Sequence, residues 1–165
     1  GAHATTAMCL RWMERLVSPN MRVYDVGCGS GILAIAASKL GAGEVIAMDY
    51  DPVAVSVALE NICQNNAANV AVFESDLLAA CEGAPPAELI TANIIADIII
   101  RLFAQIDRHL APGGTLLASG IIDDRIADVE RAAAEYGFTV LDMTCEKEWA
   151  AMIIRRTADL TDIAD

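Results

Sequence analysis

The spacing of hydrophobic positions along the chain changes repeatedly. Short runs rich in β-branched residues, at 21–26, 44–48, 70–73, 88–92 and 115–119, have the length of buried strands. Between them, apolar residues recur at helical spacing over 5–17, 32–40, 52–65, 97–110 and 124–136. In the first of these helices Leu10, Met13, Leu16 and Val17 share a stripe, and Ser18-Pro19-Asn20 ends it. Asp51-Pro52 opens the third, with an acceptor at the N-cap and proline at the first helical position. Gly41 and Gly43, Ala111-Pro112-Gly113-Gly114 and Gly137 mark other stops. Strands alternating with helices predict a doubly wound α/β domain around a parallel sheet.

The end of the chain breaks this alternation. Residues 138–145 and 149–155 read as two strands with only Glu146-Lys147-Glu148 between them. So short a link permits a hairpin and forbids a parallel crossover. The expected domain spans 1–156 and closes on an antiparallel pair. Residues 157–165 are expected to be a polar, acidic, frayed tail.

Composition narrows the field. The 165 residues suit one domain with a substantial core. Although 55% are hydrophobic, the longest apolar run, 94–100, is interrupted by Asp97, so no membrane span is expected. The five cysteines form no CxxC pair, which indicates neither a zinc site nor a disulfide framework. Without a signal-peptide pattern, a cytoplasmic location is the expectation. A net charge of −12 argues against direct nucleic-acid binding and favours a basic protein partner.

The chemistry concentrates in "YDVGCGSGILAIAASKLGAGEVIAMDYDP", residues 24–52. Gly27, Gly29 and Gly31 fall between a strand and a helix, where missing side chains let a nucleotide-containing ligand approach the main chain. Asp49, ending the next strand, is placed to accept hydrogen bonds from ribose hydroxyls. The spacing is GxGxG, because position 32 is Ile where the dinucleotide fingerprint needs Gly. Asp25, just before the loop, suits an ammonium or sulfonium better than a pyrophosphate. S-adenosylmethionine is therefore the favoured cofactor and a nicotinamide dinucleotide the alternative. No P-loop pattern occurs.

Five stretches together carry a narrower likeness: "GAHATTAMCL", "DVGCGSGILAIAASKLGAGEVIAMDYDPVAV", "TANIIADII", "LAPGGTLLASGI" and "EKEWAAMIIRR". The chain resembles the methyltransferase domain of the bacterial enzyme that methylates ribosomal protein L-eleven, the PrmA family. The resemblance implies a Rossmann-like, seven-stranded class I methyltransferase sheet with helices on both faces and an antiparallel C-terminal strand. It places cofactor contacts on Thr6, Gly27, Asp49 and Asn93, with Asn93 facing the transferred methyl group. Asp76 stands where class I enzymes often hold the adenine amino group, with a helix cap as its alternative role. Leu77 would cover the ring, and Tyr50 would pack on adenine or ribose.

Cys28 is read as present for its size, since no His accompanies it. His3 is placed near the substrate cleft and His109 at a helix C-terminus, serving its dipole. Trp12 is read as packing, and Trp149 as packing or lining the substrate opening. The family's Thr before His3 and Pro after it are Ala2 and Ala4 here, which loosens the segment that folds over the cofactor. The family's full-length enzyme also carries an N-terminal substrate-recruiting domain that these residues do not include. An excised catalytic domain and a stand-alone relative both stay open.

Asn-Ile-Ile-Ala lacks the proline pair and aromatic common in enzymes acting on planar nitrogens, which favours an aliphatic amine. The implied activity is N-methylation of protein lysine or N-terminal amines, with Asn93 orienting the amine. Small-molecule N- or O-methylation and a non-catalytic cofactor-binding scaffold are the alternatives.

Overall fold

The computed structural model describes residues 2–161. In chain order its elements are α1 (Ala2–Leu16), β1 (Arg22–Val26), α2 (Ile32–Lys39), β2 (Glu44–Asp49), α3 (Pro52–Gln64), β3 (Val70–Glu74), β4 (Ala87–Asn93), α4 (Ala96–Ile106), β5 (Leu110–Ile122), α5 (Ile126–Glu135), β6 (Phe138–Glu146), β7 (Trp149–Arg156) and α6 (Thr157–Thr161). The strands form one seven-stranded sheet in the order β3-β2-β1-β4-β5-β7-β6. Strands β1 to β5 pair in parallel, and β7 runs antiparallel to both β5 and β6. The strand order reverses between β1 and β4. That switch point leaves a crevice at the carboxyl ends of the strands, where open α/β sheets bind ligands.

Each face of the sheet buries its own core. Met8, Met13, Leu33, Ala37 and Ala58 from α1, α2 and α3 cover one face, against Val23 and Leu117. On the other, Ile99, Leu102, Phe103 and Ile106 of α4 and Val129 of α5 pack on Tyr24 and Met152. The spacing of those four residues of α4 is three, one and three, so they form a single buried stripe. Asp51 caps α3 as its sequence predicts, accepting from the Val53 N–H at 2.9 Å.

Three segments differ from expectation. The helix predicted over 97–110 stops at Ile106, and residues 110–114 are extended as the start of β5. Arg156 supplies the reason: its guanidinium donates to the carbonyls of Leu110 and Ala111 at 2.6 and 3.1 Å, and to the Asp107 carboxylate at 2.6 Å. Residues 157–161, expected to fray, form the helical turn α6. It is held by the Thr157 N–H on the Gly137 carbonyl and by Asp159 accepting from the Gly113 N–H. The rest of the expected tail lies outside the described residues. His109 ends a 3-10 turn, not α4, and is buried. Burial pushes its pKa down, which disfavours the charged form that a helix dipole would favour. Among the described residues no helix is long and apolar enough to cross a membrane.

Candidate active site

The glycine loop leaves β1 at Val26 and enters α2 at Ile32. The Gly27 and Cys28 N–H groups both donate to the Met48 carbonyl, at 2.8 and 2.9 Å, tying the loop to β2. Gly27 has φ +70°, and a Cβ there would fall 2.4 Å from Ile94 Cγ2, so the loop lies directly against the turn after β4. Gly29, at φ +53°, has nothing within 4 Å of its absent Cβ. Gly31 differs from both. Its absent Cβ would meet Ala58 at 3.3 Å, so its bareness seats α2 against α3, and it lines neither hollow described below.

Two hollows flank the loop and meet at Gly27. The larger, about 500 Å³, is walled by Asp49, Tyr50, Asp76, Leu77, Ile94 and Arg101. The smaller, about 160 Å³, is walled by Thr6, Asp25, Cys28, Gly29, Ser30 and Asn93. Every cofactor-site residue expected from the sequence, Gly31 excepted, therefore borders one of two adjoining spaces.

Asp49, half-buried, accepts from the Gly29 N–H through Oδ2 and from the Asp51 N–H through Oδ1, both at 2.9 Å. A carboxylate offers about four acceptor positions, so two backbone bonds fix its orientation and leave capacity for two hydroxyls. Asp25 is 1% exposed. Its Oδ1 accepts from Thr91 Oγ1 at 2.8 Å, while Oδ2 is buried without a partner. Burial pushes this carboxyl up to about 7, Thr91 and the Ala34 N–H oppose the rise, and the Asp49 charge adds to it. A buried carboxylate oxygen left bare is costly unless a donor or cation reaches it.

Asn93 ends β4, and its Nδ2 stands 3.5 Å from Thr6 Oγ1, so α1 closes the smaller hollow on that side. Cys28 is buried, and desolvation first, then Asp25 and Asp49, pushes its thiol up to about 12. That thiol is inert at neutral pH, in keeping with a residue chosen for size. Leu77 is buried at φ +51°, a strained conformation for a side chain with a Cβ. Ser75 holds it there: its hydroxyl donates to the Leu77 carbonyl and accepts from the Ala80 N–H, each at 2.9 Å. The Asp76 carboxylate is not a helix cap. It pairs with Arg101 at 3.5 Å.

Trp12 packs in the core and donates to Thr144 Oγ1 at 3.1 Å. Trp149 is half-buried against the same core, and neither it nor His3 lines either hollow. Ser75, Ile94, Ile98 and Arg101 line the larger hollow and were not singled out in the sequence. Ile98 and Arg101 are spaced i, i+3 on α4 and were hidden because the crevice uses the flank of that helix, not its apolar stripe. Among the described residues no cluster of three or more His, Cys, Asp or Glu side chains is arranged to hold a metal ion.

The family described as "Ribosomal protein L11 methyltransferase (PrmA)" matches residues 1–157. A ribosomal protein L11 methyltransferase of Caldanaerobacter subterraneus subsp. tengcongensis is 50% identical over 156 residues, which is 94% of this chain and 50% of that protein. The chain thus spans about half the length of the curated relatives it matches. The crystal structure of a ribosomal protein L11 methylase from Lactobacillus delbrueckii subsp. bulgaricus superimposes with a TM-score of 0.88 at 38% identity, over 93% of this chain and 79% of that one. TrmK of M. capricolum, solved with S-adenosylhomocysteine, shares the fold alone: TM-score 0.75 and 12% identity, over 90% of this chain and 67% of that one.

Proposed function

The chain belongs to the ribosomal protein L11 methyltransferase family, and we propose that it binds S-adenosylmethionine across the two hollows and methylates amines of a basic protein, ribosomal protein L11 being the named substrate of its relatives. The observation that carries this reading is the pair of adjoining hollows at the glycine loop, with Asp25 and Asn93 at the wall of one and Asp49, Tyr50 and Leu77 at the wall of the other. These residues fit the cofactor. Asp25 offers a carboxylate to a cationic end, Asp49 retains acceptor capacity for two ribose hydroxyls, and Leu77 and Tyr50 wall the space for a base. When bound, the cofactor supplies an electrophilic methyl carbon on a positively charged sulfur.

The chain's own contribution is position and exclusion of water. Asn93, at the wall of the smaller hollow, offers its side-chain oxygen to one N–H of the incoming amine and so fixes the direction of the nitrogen lone pair. The lysine ammonium, with a reference pKa of about 10.4, must first lose a proton. The −12 net charge draws that ammonium in but also favours its charged form. Deprotonation must therefore be favoured locally, at the wall that Asn93 and Thr6 form.

Incubation with methyl-labelled S-adenosylmethionine and purified ribosomal protein L11 tests the reading. Label should enter lysine or the N-terminal amine of the protein, and Asn93→Ala should lower kcat on the order of 10²-fold. Label confined to small-molecule amines, or an Asn93→Ala variant as fast as the parent, would refute it.

A further inference from the structure

Arg101 is the one cation among the described side chains that wall the two hollows, against the carboxylates of Asp25, Asp49 and Asp76. It reaches the larger hollow from α4, one turn beyond Ile98, and its Nη2 stands 3.5 Å from Asp76 Oδ1. Asp76 comes from the segment that follows β3, whose Leu78 N–H donates to Gln105 of α4 at 3.2 Å, so the pair lies at the cleft where that segment meets α4. Both side chains are more than half exposed, at 56% and 60%. Exposed pairs contribute little to folding, so this one has scope to act on a ligand.

Its geometry has a consequence for that ligand. The backbone beneath Asp76 is already fixed, because Ser75 clamps Leu77 in its left-handed conformation. What remains free is the carboxylate, which in an acidic molecule would swing toward solvent. Arg101 engages Oδ1 and leaves Oδ2 available at the cleft wall. A fixed acceptor there recognises an exocyclic amino group and repels a carbonyl oxygen, since two acceptors cannot share a proton.

Building on the proposed cofactor reading, we infer that Arg101 is a positioning residue: by holding Asp76 at the cleft it makes the site prefer a 6-aminopurine to a 6-oxopurine. It acts through Asp76 and not by contact with the base.

Calorimetric titration with S-adenosylhomocysteine and with its 6-oxo analogue, S-inosylhomocysteine, reads the preference directly. Arg101→Gln should narrow the wild-type ratio about threefold, the size of an exposed ion pair, and Arg101→Lys should restore most of it. In an Asp76→Asn background, Arg101→Gln should change nothing further. A wild-type ratio retained by Arg101→Gln, or an equal fall in the Asp76→Asn background, overturns the inference while leaving the cofactor reading intact. If the wild-type chain binds neither compound, the cofactor reading fails and this inference fails with it.

Discussion

Asp25 has one oxygen bonded to Thr91 and one bare, inside a protein that lifts its carboxyl from the ordinary 3.8 to about 7. The sign of the consequence follows from linkage. A raised folded-state pKa contributes stability that is complete below the unfolded value and lost as pH rises toward the folded one. The empty protein should therefore lose stability between about pH 4 and 7, by at most about 1.4 kcal/mol per pH unit from this group. Asp25→Asn should remove that component of the slope in denaturation curves measured across the range. A cationic ligand reverses the preference by favouring the ionised form. Donor binding near pH 6.5 should release a proton, seen as a binding heat that varies with the ionisation enthalpy of the buffer, and affinity should fall below pH 7. An Asp25→Asn variant whose affinity still falls over that range would show that another group titrates. The sequence placed Asp25 beside the loop, but its charge state depends first on burial and then on Thr91, which the fold brings from β4.

At the scale of elements, the loop between β1 and α2 makes two glycines differ in a way their spacing alone does not reveal. Alanine at Gly27 would strain a φ of +70° and drive a methyl group to 2.4 Å from Ile94. It should cost about 2–3 kcal/mol in chemical denaturation and lose donor binding. Alanine at Gly29 meets no atom within 4 Å, so its stability cost should stop near the roughly 1 kcal/mol of left-handed strain. Because Gly29 lines the smaller hollow, donor affinity should still fall at least tenfold. Equal destabilisation by the two substitutions would contradict the distinction. Strand, turn and helix were legible here because loop and core periodicity agree locally. The start of β5 was not. Residues 110–114 resemble a helix end followed by a loop, and Arg155 and Arg156, more than forty residues later, supply the donors that hold the Leu110, Ala111 and Gly113 carbonyls. Arg101 escaped for the same reason, since its pairing with Asp76 exists only once α4 packs beside the segment after β3.

For the whole molecule, alternation of strands and helices disclosed the sheet, and the short link after Glu146 disclosed the antiparallel pair. That link did not say where the pair would dock. A hairpin can add either strand first, and the observed order places β7 between β5 and β6 because its five consecutive buried residues suit an interior strand. Net charge acts at this scale too. With −12 distributed over the chain, capture of a basic protein should weaken with salt: KM for ribosomal protein L11 should rise several-fold from low to physiological ionic strength, with kcat little altered. A salt-independent KM would remove the acidic surface from the account. The central claim, that the crevice at the β1–β4 switch point holds a sulfonium methyl donor, is tested most directly by calorimetric titration of the purified chain with S-adenosylmethionine, alongside a nicotinamide dinucleotide. The account predicts one-to-one binding of the first at micromolar levels and none of the second. Saturation by the dinucleotide, or no heat from S-adenosylmethionine at millimolar concentration, would contradict it.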